Sequence, residues 1–283
     1  MLCFRRALSS RALPYMESTT VTLRQTNAQL QIHCPSAIAS QTPLSTILKF
    51  PPLVHWLDAL DRQDGRVEIR SLTIQSVDEF RSGKVGFLKF TTDATHQPEG
   101  RQVPGIVFLR GGAVAMLIIL RTPKSPRTPL PSCQDTDFVV LTEQPRIAVP
   151  HFHLRELPAG MLDSSGEFSG TAAREIHEET GLVIKPHDLI DLTPDDTSDG
   201  LRGLYPSSGA CDEFIRLFAC EKLVSEDDLD KLRGKLSGLR DDGEFITLRL
   251  VRLCDLWKET RDMKATAAMY LWDRRQPLTN KSI

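Results

Sequence analysis

Apolar and polar positions alternate with period two along several short runs of this chain, the pattern of strands with one buried face. Residues 19–24 (TTVTLR) and 29–33 read this way, and so do 67–75 and 84–90. Between them Leu53, Trp56, Leu57 and Leu60 stand at i, i+3, i+4 and i+7, one face of a helix within 44–60 whose start Pro51 and Pro52 delay. Trp56 suits a packed core or a surface that stacks substrate, and its helical spacing favours core. Residues 81–83 read as a turn between a short helix and the strand over 84–90. From Pro104 onward the apolar runs grow denser. Residues 106–110 and 113–121 flank Gly111-Gly112, a hairpin signal. Residues 113–120 (AVAMLIIL) fall far short of the ~20 needed for a membrane helix and read as a buried strand. A surface loop over 123–131, rich in Pro, Ser and Thr, precedes a strand over 137–141. A helix over 172–180 follows, with Gly181 as its stop. A helix over 227–239 and a strand over 245–250 come later. Strands, one central helix, more strands and late helices make an α/β (α+β) chain without internal repeats.

Composition narrows the class. The chain has 283 residues, 25% charged and 40% hydrophobic, an ordinary globular balance for one or two domains that bury a core without staples. A formal charge of -2 offers no basic bulk for a nucleic-acid polymer. Cys3, Cys34, Cys133, Cys211, Cys220 and Cys254 show neither C-x-x-C nor zinc spacing, so reduced thiols are expected. Residues 1–16 carry Arg5, Arg6 and Arg11 with Ser9 and Ser10, and the first acid is Glu17. That is the composition of an organelle transit peptide, mitochondrial or plastid, with a disordered tail as the alternative. Initiation at Met16 would give a cytoplasmic form.

The chemistry concentrates in residues 156–184 (ELPAGMLDSSGEFSGTAAREIHEETGLVI). Glu175, Glu178 and Glu179 stand at i, i+3 and i+4 on one helix face. Two carboxylates ~5 Å apart at an effective dielectric of ~20 repel by about 3 kcal/mol. A solvated acidic face relaxes that repulsion, and a divalent cation reverses its sign. Carboxylate oxygens are hard ligands suited to Mg²⁺, with Mn²⁺ as a second choice. On the glutamates alone, the solvated face remains the better reading.

The surroundings change that balance. Gly160 stands fourteen positions before Arg174, and Arg174-Glu175-Ile176-His177-Glu178-Glu179-Thr180-Gly181-Leu182 follows. This stretch resembles the signature of the Nudix hydrolases, and Leu157-Pro158-Ala159 before it is typical of their nucleotide-sugar branch. One position departs: the signature's first Glu would fall at Gly166, whereas Glu167 comes one place later. Ser164 and Glu167 have capping-box spacing, so Glu167 is read as starting the helix. Residues 86–90, 103–108, 141–144, 190–193, 206–213 and 239–249 are similar to ADP-sugar diphosphatases of plant plastids. The likeness covers nearly everything after the leader.

The resemblance implies a Nudix α/β/α sandwich over 104–283, with a small β-rich N-terminal domain over 17–103 after a leader of 1–16. It implies a homodimer, no membrane, and a nucleotide-sugar substrate split to AMP and a sugar 1-phosphate. Glu175, Glu178 and Glu179 match the family's metal carboxylates, the Ala159 carbonyl matches a further ligand position, and Arg174 orients a carboxylate. Gly160 and Arg146 are assigned to the substrate site, with a surface salt bridge as the alternative for Arg146. In the loop Asp241-Asp242-Gly243-Glu244, Glu244 is the expected ligand or general base, Asp242 stands second, and Glu213 is held in reserve. The loop over 194–209 suits a lid. His151, His153 and His177 are given no metal. ADP-ribose and UDP-glucose remain alternative substrates, and a catalytically silent nucleotide-binding regulator is the alternative of another class. The complete carboxylate set argues against the last.

Overall fold

The computed structural model describes residues 15–80, 83–123, 137–162, 168–193, 203–238 and 245–275. It divides into two compact units, one running to Arg110 and including Ser207–Asp212, the other holding Gly111–Pro206 and Glu213–Ile283.

The first unit is a mixed sheet. β1 (Met16–Thr22) pairs antiparallel with β2 (Gln29–Pro35), so β1 opens at the last residue of the expected leader. Two single-turn helices follow, α1 (Ser36–Ala39) and α2 (Leu44–Ile47), and then α3 (Pro51–Leu60). Pro51 and Pro52 occupy the first turn of α3, where a missing N–H removes no helical bond. Leu53 and Leu57 are buried, and Trp56 meets Phe90 edge to face at 5.1 Å, so the core reading of Trp56 holds. At the end of α3 the Asp61 carboxylate accepts the Gln25 and Thr26 amides and fixes the β1–β2 turn. β3 (Val67–Glu79) runs parallel to β2 and antiparallel to β4 (Val85–His96). The short helix expected before residue 81 is absent. The strand instead continues through three register shifts, which let a polar stretch stay in the ladder. β5 (Arg101–Gln102) and β6 (Ile106–Leu109) both pair with β4.

The expected hairpin at Gly111-Gly112 does not form either. β6 belongs to the first sheet, while β7 (Ala113–Arg121) is central in the second. A strand buried on both faces needs two neighbours, and a tight hairpin supplies one. β7 finds them in β8 (Phe138–Arg146), antiparallel, and the later β12, parallel. Gly111, at φ 80°, makes the turn out of the first sheet. Next come β9 (His151–Glu156), β10 (Ala159–Met161), α4 (Phe168–Thr180), β11 (Ile190–Asp191), β12 (Ile215–Leu223), α5 (Glu226–Leu232), β13 (Leu236–Ser237), β14 (Ile246–Arg252), α6 (Leu256–Glu259) and α7 (Met263–Arg275). The sheet order is β11-β12-β7-β8-β14-β13, with β10 on β7 and β9 on β8. The helix expected over 227–239 ends early, and Gly234 at φ 68° lies between it and β13.

Period-two alternation in β7 sorts the core into two layers. Ala113, Ala115, Leu117 and Ile119 pack with Leu256 of α6 and Ala265 and Ala268 of α7. Val114, Met116, Ile118 and Leu120 pack with Ala172 and Ile176 of α4 and Leu229 and Leu232 of α5. The second unit is therefore the expected α/β/α sandwich. Among the described residues no helix is long and apolar enough to cross a membrane. Cys34, Cys211, Cys220 and Cys254 are free thiols, and burial pushes Cys220 up to about 12.

Candidate active site at the signature helix

The signature's two halves meet on one face of the second sheet. Met116 donates its N–H to the Pro158 carbonyl at 2.9 Å, and Ala159, Gly160 and Met161 pair with Ala115, Val114 and Ala113. The 157–161 segment is thus laid along the start of β7. Ala172 and Ile176 seat α4 on the same face. Gly181 ends the helix at φ 74°, and its N–H returns to the His177 carbonyl at 2.8 Å.

This packing carries the helix acids to the segment. Ala159 donates its N–H to Glu179 Oε2 at 3.0 Å. Gly160 has no room for a side chain, because a Cβ there would lie 2.0 Å from Glu175 Oε1 and 2.4 Å from its Cγ. Glu179 is buried, whereas Glu175 and Glu178 are half-buried. A helix carbonyl is anchored as well: the Ser237 hydroxyl donates to the carbonyl of Glu179. Among the described residues no three His, Cys, Asp or Glu side chains lie close enough to hold a metal ion between them. The donor chemistry nevertheless fits a hard divalent cation, since carboxylate oxygens of one helix face meet a backbone segment shaped to admit them.

The remaining expected residues are distributed around this centre. Arg174 is exposed on α4. Arg146 donates Nε to Glu156 Oε2 at 2.5 Å, so one edge of its guanidinium is taken by an ion pair. Glu213 is half-buried in the approach to β12. Asp241, Asp242, Gly243 and Glu244 lie outside the described residues, as do Ser164, Gly166, Glu167 and the first part of the expected lid, 194–202. His177 and His151 are exposed, and His153 stands 3.7 Å from Glu143.

Sequence reasoning missed the charged cluster beneath the segment. Glu156 faces Arg146 and, at 3.2 Å, Lys264 Nζ; Lys264 also reaches Asp262 Oδ1 at 2.9 Å. Asp262 Oδ2 accepts the Leu157 N–H at 2.9 Å. Burial pushes the Glu156 carboxyl up, yet Lys264 and Arg146 outweigh it and hold the group below the usual carboxylate range. Burial likewise disfavours the Lys264 cation, and Asp262 and Glu156 together raise its pKa above the ordinary value. The available signal was Asp262 standing just ahead of an Ala-rich helical run, a capping position.

The NUDIX domain model matches residues 127–272. The chain is 40% identical over 229 residues to Nudix hydrolase 14, chloroplastic, of Arabidopsis thaliana, covering 78% of this chain and 70% of that protein. It is 26% identical over 191 residues to an ADP-ribose pyrophosphatase of Bacillus subtilis (strain 168), covering 67% of this chain and 84% of that one. A solved structure of an ADP compounds hydrolase aligns with TM-score 0.48 at 15% identity, over 75% of this chain and 95% of the other. With the family model spanning more than half its length and a relative at 40% identity across most of it, the chain belongs to the Nudix hydrolase family.

Proposed function

We propose that this protein is a Mg²⁺-dependent hydrolase that cuts the diphosphate of an ADP-sugar, releasing AMP and a sugar 1-phosphate. The observation that carries the reading is the meeting of Glu175 and Glu179 with the Ala159–Gly160 backbone. Glu175, Glu178, Glu179 and the Ala159 carbonyl would hold the cation. When bound, a divalent cation neutralises phosphate oxygens and lowers the pKa of a water. The chain's own contribution is position: a short side chain at 160 would displace Glu175, and the Ala159 N–H fixes one oxygen of Glu179. Arg146 keeps guanidinium N–H groups beyond its bond to Glu156, which suits a phosphate oxygen. Glu244 is assigned as general base, with Asp242 second and Glu213 third, and Arg174 as the residue that orients a carboxylate. ADP-ribose is the second reading for substrate, supported by the name of the Bacillus subtilis relative.

A substrate panel with Mg²⁺, scoring AMP against UMP release, tests the proposal. ADP-glucose or a similar ADP-sugar should be the best substrate. UMP release from UDP-glucose at an equal rate would reject the adenine preference, and no turnover of any member would favour the silent regulator. Glu179→Gln should lower kcat by about 10²-fold or more with the fold kept, and Glu244→Gln should do the same with little change in KM. Wild-type kcat in either variant would remove that residue from its role. We also propose a homodimer, which light scattering at micromolar concentration would refute by a monomer mass. Residues 1–16 are proposed as an organelle leader, and a reporter fusion left diffuse in the cytosol would refute that.

A further inference from the structure

We propose that Asp262 and Lys264, at the start of α7, are positioning residues that hold the Leu157–Gly160 segment against the acids of α4. The inference rests on the metal-dependent hydrolase reading above. It concerns residues 105 and 108 positions beyond those they hold.

The segment is gripped from two sides. On one side, Asp262 divides its oxygens. Oδ1 accepts the Lys264 N–H at 3.0 Å and caps α7, while Oδ2 accepts the Leu157 N–H at 2.9 Å. Lys264 Nζ then bridges Asp262 Oδ1 and Glu156 Oε1. The Lys264 side chain is 15% exposed, and those of Glu156 and Asp262 are 11% and 4% exposed, so the three charges lie largely out of water. Thr260 closes the arrangement: its hydroxyl donates to the Arg155 carbonyl and accepts the Asp262 N–H. On the other side, Ala159 donates to Glu179 and Gly160 abuts Glu175. Within five residues, the 156 side chain and the 157 amide bind groups at the start of α7, the 159 amide binds Glu179 of α4, and Gly160 abuts Glu175.

Two physical needs explain this design. A hydrogen bond from a backbone N–H to a charged acceptor is shorter and stronger than one to a neutral acceptor, so Asp262 fixes the Leu157 amide more firmly than a hydroxyl would. Two buried carboxylates this near, Glu156 at the end of β9 and Asp262 at the start of α7, would repel each other, and the Lys264 cation between them keeps both in place. A misplacement of ~1 Å in a catalytic constellation costs about 10²-fold in rate. Groups that orient metal ligands from outside typically change metal affinity by about 10–100-fold when removed. A role confined to the stability of α7 predicts neither effect.

The test uses the full chain as wild type, Lys264→Met, Lys264→Arg, Asp262→Asn and Leu53→Ala. Leu53 is buried in α3 of the first unit, in a core cluster that contains none of these groups and no residue of α4. Three quantities are read: the Mg²⁺ concentration giving half-maximal hydrolysis, Mn²⁺ affinity by calorimetry, and amide hydrogen exchange of Leu157, Ala159 and Gly160 in metal-free protein. Lys264→Met and Asp262→Asn should raise half-saturating Mg²⁺ about tenfold, weaken Mn²⁺ by a similar factor and speed exchange at Leu157 and Ala159. KM at saturating metal should change little. Lys264→Arg, which keeps the cation, should stay within about threefold of wild type, and Leu53→Ala should lower Tm without moving any of the three. Wild-type metal affinity and exchange in Lys264→Met would overturn the proposal even if Tm falls. If Asp262→Asn does not fold, the Lys264 pair still decides. If wild type hydrolyses nothing in the panel, the functional reading fails, while Mn²⁺ affinity and exchange still judge the clamp.

Discussion

Glu143 and Glu156 invite comparison. They lie on adjacent strands, with Thr142 opposite Glu156 and Glu143 opposite Arg155, and both are 8% exposed. Each carboxylate binds two cations, but the shells differ. Glu143 takes Arg249 through Nη2 at 2.6 Å and Nε at 3.0 Å, and Arg155 through Nε at 3.1 Å. Both guanidiniums are more than a third exposed and line an open cavity of about 430 Å³. Glu156 takes one partly exposed arginine and one buried lysine, and that lysine's second partner holds the amide of the next residue. Equal burial therefore does not mean equal consequence. A carboxylate whose partners reach water can re-pair, whereas one whose partner is joined to the signature backbone transmits any change to it.

The comparison can be broken by removing each carboxylate in turn. Glu156→Gln leaves the buried Lys264 one carboxylate short, so urea unfolding should show a loss of about 3 kcal/mol. Turnover at saturating Mg²⁺ should fall about tenfold with it. Glu143→Gln should cost about 1–2 kcal/mol and leave turnover within about twofold, because its arginines have solvent. Equal losses of turnover in the two variants would dissolve the distinction.

The pH dependence sharpens it at smaller amplitude. Hydrogen bonding by Arg249, with help from Arg155, holds Glu143 below the usual carboxylate range, and Lys264 and Arg146 do the same to Glu156 against its burial. A depressed folded-state pKa adds stability that is present above the unfolded value and lost as pH falls through the folded one. Unfolding free energy should therefore decline from about pH 4.5 downward, less steeply in Glu156→Gln than in wild type. Lys264 has the opposite sense. Its raised pKa gives stability present below the ordinary lysine value and lost only as pH rises past the folded one. Smallest of all, Arg249→Lys removes the two-pronged bond at a partly exposed site and should cost about 1 kcal/mol or less by urea titration.

What the sequence disclosed follows the range of the interactions. α4 was readable because its signals lie within one or two turns: acids at three and four, then a glycine stop. β7 was readable as buried because eight apolar residues in a row leave little else. Its partners were not, since Gly111-Gly112 looks local and the parallel neighbour β12 begins 102 residues after β7 does. The continuation of β3 through Glu79 was hidden by polar residues that register shifts absorb. The clamp was invisible for the same reason as the β7–β12 pair, because no local pattern joins Leu157 to Asp262. A capping position ahead of the Ala-rich run could mark Asp262 as a helix start, but it holds no hint of what the second oxygen binds.

The membership of Ser207–Asp212 in the first unit bears on how the chain is made. Phe108 receives a bond from the Asp212 N–H and gives one to the Ala210 carbonyl, and Arg110 donates its N–H to the Asp212 side chain. A ribosome that has released the chain only as far as Arg110 has therefore not supplied every strand contact of that unit. Closure must wait for about a hundred further residues, and those include β7 and α4 of the other unit. The entropic cost of closing so long a loop grows only logarithmically with its length, so the delay is one of timing more than of stability. A fragment ended at Arg110 would leave the backbone of Phe108 without its mates and its strand edge open, a surface prone to pairing with other chains during synthesis.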